Sequence, residues 1–75
     1  MTNTELLEQY IEKSGYKKSF IAKHLGISSY ALSMKITNKT EFKGSEMDML
    51  CKLLHIGVRD RMRIFFCKLS RFKIY

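Results

Sequence analysis

The stretch "IAKHLGISSYALSMKI", Ile21 to Ile36, decides the fold. Ile21, Ala22 and Leu25 share one face of a helix predicted over about Lys18 to Leu25. Gly26 ends it, because the residue just past a helix often takes a positive φ that a Cβ disfavours. Ser28 then caps a third helix reaching about Thr37, with Ile27, Leu32 and Ile36 facing inward. Ala22, Gly26 and Leu32 together meet the physical needs of a helix–turn–helix. The small side chain lets two helices approach, the glycine turns the chain, and the leucine packs back between them. Ser29, Tyr30, Ser33 and Met34 are left pointing outward, and that face needs an explanation.

Working outward, Thr2-Asn3-Thr4-Glu5 reads as a capping box opening a first helix. Leu6, Leu7, Tyr10 and Ile11 follow at helical spacing, and Ser14-Gly15 stops it. Asn38 to Gly44 is a polar loop whose core anchor is Phe42. Ser45-Glu46-Met47-Asp48 is expected to start a fourth helix, with Asp48 in the acidic position of its capping box. Met47, Leu50, Cys51 and Leu54 form its buried stripe, and Ile56-Gly57 closes it. Val58, Met62, Phe65, Phe66, Leu69 and Phe72 fit one face of a last helix, with a frayed end or a strand as the alternatives for the last eight residues. Tyr10 and Tyr16 are expected in the core, His24 in solvent, and Phe20 in either. The chain reads as an all-α domain over residues 1–66 with a tail over 67–75.

Composition narrows the function classes. A chain of 75 residues builds one small core. Glu5, Glu8 and Glu12 replace the basic start of a secretion signal, and the longest apolar run is too short to span a bilayer. Two cysteines make no disulfide scaffold, so a reduced, cytoplasmic protein is expected. The net charge is +7, and residues 15–44 and 58–75 each carry +5. Two basic blocks suit a polyanion. Cys51 and His55, at i and i+4, are half a zinc site at most; with no second pair, no metal or cofactor is expected. No nucleophile, base and orienting group come together, and no glycine loop cradles phosphate, so neither an enzyme nor a small-molecule substrate is expected.

At "FIAKHLGISSYALSMKI" and "FKGSEMDMLCKLLHIG" the chain resembles the phage repressor and Cro-type helix–turn–helix family. It is most similar to small stand-alone prophage proteins of low-GC Gram-positive bacteria, in which "NKTEF" and a terminal "IFF" recur. The resemblance runs from about Leu6 to Phe66. It implies a compact five-helix, lambda-repressor-like fold that binds a double-stranded DNA operator as a homodimer. The chain has no room for the C-terminal domain of longer phage repressors, which favours a Cro-like regulator. By position, the third helix becomes the recognition helix in the major groove. Ser28, Ser29, Tyr30 and Met34 then take base-reading positions with Ser33 beside them. Lys18, Thr37 and Lys39 take phosphate positions, and Lys17 and Lys43 lie around them.

Two features depart from the family pattern. Gln, Asn or Arg often fill such reading positions, because paired donors and acceptors discriminate bases bidentately. Serines, a tyrosine and a methionine instead read thymine methyls, single acceptors or phosphates. Lys17 stands at the second helix's N-cap, where Thr or Ser is expected. A protein-interaction module, such as an anti-defence or antirepressor protein reusing this fold, is the alternative reading. A membrane-active basic tail is remote, because Phe65 and Phe66 serve the core better. The apolar residues Leu69, Phe72, Ile74 and Tyr75 exceed what a small core needs, and the tail is expected to support dimerisation.

Overall fold

The computed structural model describes residues 2–66, which form five α-helices. These are α1 (Thr4–Ser14), α2 (Lys18–Leu25), α3 (Ser29–Ile36), α4 (Gly44–Leu54) and α5 (Val58–Phe65). No described helix is long and apolar enough to cross a membrane. α2 packs on α3 and α4, and α1 packs on α4 and α5. One core joins all five through Leu7 and Ile11, Ile21 and Leu25, Leu32 and Ile36, Leu50 and Leu54, and Ile64 and Phe65. Each such aliphatic side chain, fully buried, stabilises the fold by about 1.5–3 kcal/mol. Phe42 anchors the loop between α3 and α4, meeting Phe65 edge-on with ring centroids 5.5 Å apart.

The α2–α3 unit follows its sequence pattern closely. Ala22 and Leu32 are each 1% exposed, which is the close approach and the inserted leucine that the spacing requires. Gly26 has φ 78°, and its N–H donates to the Ala22 and Lys23 carbonyls that the helix end leaves unpaired. The Ser28 hydroxyl accepts from the Ala31 N–H at 3.0 Å and starts α3. Lys17 contributes no side-chain cap to α2, which rests on packing.

Three helix details differ from the sequence reading. At α1 the cap is Asn3, whose side chain accepts from Leu6 N at 3.2 Å; Thr2 and Glu5 form no capping box. Thr2 is instead buried, its backbone paired with the Asn38 side chain by bonds of 2.6 and 2.8 Å. α4 is capped two residues earlier than expected, at Lys43, so Glu46 rather than Asp48 takes the acidic capping position. Its carboxylate accepts the Lys43 N–H at 2.8 Å, while Asp48 faces solvent and pairs with Lys52 and Arg61.

The third difference concerns α5, where Val58 is 82% exposed and Met62 53%. Phe66 lies at the surface after the helix, and only Phe65 of the expected stripe is buried within the described residues. The inward side carries Ile64 and Phe65 in the core and the half-buried Asp60, and polar contacts tie it to α1 and the α1 N-cap. The Tyr10 hydroxyl donates to Asp60, and Ile64 O accepts from Asn3 N at 2.6 Å. Leu69, Phe72 and the rest of the 67–75 tail lie outside the described residues.

Candidate nucleic-acid interface

Once Leu32, Lys35 and Ile36 have turned inward, the opposite side of α3 is fixed by helix geometry. Ser29, Tyr30 and Ser33 lie on it in solvent, Tyr30 with 73% exposure, and Met34 is half-buried at its edge. Ser28 is exposed at the helix start, but its hydroxyl oxygen is engaged in capping. Tyr30, Ser29 and Ser33 are therefore free to meet a partner.

The five expected phosphate residues divide by their partners. Lys17, Lys39 and Lys43 are exposed and, among the described residues, have no carboxylate within ion-pair distance. Lys18 is exposed but pairs with Glu8 of α1 at 3.0 Å. A phosphate must therefore compete with that carboxylate. Thr37 ends α3, and its hydroxyl donates to the Ser33 carbonyl at 2.8 Å. That hydroxyl has no proton left for a phosphate in this geometry, which removes Thr37's side chain from the donors.

The loop after α3 is tied back to it. Lys39 N and Thr40 N both donate to Met34 O, at 2.9 and 3.2 Å, and Asn38 turns the chain with φ 68°. Lys39 is thereby held against the last turn of the exposed helix.

Sequence reasoning missed Lys35 and Glu46. Lys35 is 9% exposed and Glu46 6%, and their charges meet at 3.0 Å. The Lys35 ammonium also donates to Glu41 O at 3.0 Å and sits 6.0 Å from the Phe42 ring centroid. Burial alone pushes the Glu46 carboxyl up, but the Lys43 N–H and the Lys35 ammonium outweigh it and hold it below the ordinary glutamate value. A signal was present. Lys35 falls three residues after Leu32 and one before Ile36, on the inward stripe, and Glu46 falls four before Leu50.

The remaining candidates resolve simply. Cys51 is buried in the core, and that burial raises its thiol pKa. His55 is exposed and caps α4 with φ 58°. Tyr16 is exposed rather than in the core, because it precedes α2 and lies against Phe20, with centroids 5.0 Å apart. Phe20 is 48% exposed and stacks on the exposed His24 at 6.3 Å. Two concavities border α1, one lined by Glu8, Glu12 and Lys18 and one by Tyr10, Leu53 and His55.

No protein-family model, curated protein or solved structure matches this chain.

Proposed function

We propose that the protein is a sequence-reading, double-stranded DNA-binding regulator of the phage repressor and Cro type, acting in a bacterial cytoplasm. The observation that carries this reading is the division of α3. Leu32 and Ile36 are buried while Ser29, Tyr30 and Ser33 are exposed. Lys17, Lys39 and Lys43 are exposed with no carboxylate at ion-pair distance among the described residues. A helix of this kind enters the major groove with its N-terminal residues at the base edges, and lysines around it meet the phosphates. Tyr30 and Met34 supply apolar contact to thymine methyls, and the Ser29 and Ser33 hydroxyls meet single donors or acceptors. Neither offers the bidentate pairing of Arg or Asn, so discrimination per base is modest. A single α3 spans too few base pairs for selectivity, and two copies on a pseudo-palindrome, one helical turn apart, make up the difference.

The test is a titration of binding against salt on duplex DNA. Each neutralised phosphate releases counterion, so three to four lysine contacts per protomer give a log–log slope of about −3 to −4. A slope near zero sinks the reading. Lys39→Ala should weaken all duplexes alike, because phosphate contacts carry no base information.

A second reading has one specific observation behind it. The exposed Tyr16–Phe20–His24 stack on the outer side of α2 is a surface a protein partner would cover. An anti-defence or antirepressor role would use that strip, and a Phe20→Ala variant with unchanged DNA affinity but lost activity in the host would favour it.

A further inference from the structure

A buried ion pair is a puzzle in a core this small. Removing two charges from water roughly cancels their attraction, and apolar residues of similar volume usually serve stability as well or better. Stability alone therefore does not explain why Lys35 and Glu46 occupy the interior. Their hydrogen bonds indicate what they hold. Lys35 stands on α3 and reaches Glu41 O; Glu46 stands on α4 and reaches Lys43 N. The pair thus joins the two helices that flank the loop over 37–43 and grips two points of that loop's backbone. Phe42, between those points, is buried under the Lys35 ammonium. Lys39 and Thr40 are tied to Met34 O at the loop's other end.

We propose that Lys35 and Glu46 are positioning residues for DNA binding. They fix the backbone that carries Lys39 and Lys43 relative to the exposed side of α3, without touching DNA themselves. This rests on the DNA-binding reading above. Pre-set phosphate donors bind with less loss of side-chain and loop freedom than mobile ones. The carboxylate–ammonium pair can do this where an apolar pair cannot, because only polar groups hold the Glu41 carbonyl and the Lys43 amide in one register.

The test replaces both charges at once, as Lys35→Met with Glu46→Leu, so that neither is left buried alone. The double variant should keep its helical circular dichroism and cooperative melting. Its duplex affinity at moderate salt should fall about tenfold and its salt slope shrink by about 1–2, the loss of one or two phosphate contacts. Lys39→Ala should then weaken the double variant less than it weakens the wild type, because the two changes act on one loop. Unchanged affinity and slope in a folded double variant overturn the proposal. If that variant does not fold, amide exchange in the wild type decides. A Lys43 amide, which donates to Glu46, protected to the degree of α3 supports the clamp, and a freely exchanging Lys43 amide overturns it. Free exchange beside normal salt-dependent binding removes this proposal alone. A protected Lys43 amide with no salt-dependent affinity for duplex DNA instead removes the proposed function, and the positioning role with it.

Discussion

α3 and α5 are each eight residues long, yet pattern and burial agree in one and part in the other. In α3 the apolar Leu32 and Ile36 are buried and the small polar residues face water. In α5 the apolar Val58 and Met62 face water, while Asp60 is drawn inward to Tyr10. The difference is in how each helix is held. α3 is set against α2 by the Ala22–Gly26–Leu32 geometry, which leaves one orientation. α5 packs only Ile64 and Phe65 into the core and adds two polar bonds at Asp60 and Ile64, which hydrophobic periodicity does not register. A helix whose whole apolar stripe packs is readable from that stripe; a helix held partly by long-range hydrogen bonds is read only in part.

The sharpest way to break this contrast is at Leu32. Leu32→Ala should destabilise the domain by about 2–5 kcal/mol, because the cavity lies between two tightly apposed helices. Next is the buried pair. Glu46→Ala should cost about 3 kcal/mol, the low end for a broken buried pair, since Lys35 keeps the Glu41 carbonyl as a partner. Chemical denaturation of both variants gives the ranking, and a Glu46→Ala protein as stable as wild type would show that this pair is solvated.

Acid should act through the same carboxylate. Glu46 is held below its ordinary value when folded, so its stabilisation is complete above the unfolded pKa and is lost as pH falls through the folded one. Melting temperature should therefore be level through neutral pH and decline below the ordinary glutamate range, with a smaller decline in Glu46→Gln than in wild type. Gly26→Ala comes after these in size, at about 1–2 kcal/mol. It meets no atom within 4 Å but must hold a φ of 78°. The smallest effects belong to the exposed residues. Tyr30→Ala, Val58→Ser and Met62→Ser should each stay within about 0.5 kcal/mol of wild type in melting. A Val58→Ser loss comparable to Leu32→Ala would restore the stripe read from the sequence and reverse the orientation of α5.

Much of the candidate site was legible, and the misses have physical causes. The helix–turn–helix limits and the inward Ala22 and Leu32 follow from spacing and caps alone. Ser29, Tyr30 and Ser33 lie outward because their neighbours must lie inward. What was illegible depended on partners distant in sequence. Glu8 engages Lys18 from α1, and Asn38 engages Thr2 across the whole motif. Thr37's hydroxyl turns back on its own helix, a choice that residue type leaves open. Lys35 sat on the buried stripe in plain view, but a lysine is read as surface unless its carboxylate is identified, and Glu46 lies in another helix.

The central claim is that the outward side of α3 reads duplex DNA. Selection of bound duplexes from a random pool, run in parallel with wild type and Tyr30→Ala, tests it most directly. Wild type should enrich one pseudo-palindromic sequence. Tyr30→Ala, still folded, should enrich an altered or relaxed one, with the change confined to the positions nearest the start of α3. Identical enriched sequences from the two proteins, or no enrichment from wild type at low salt, would contradict the account.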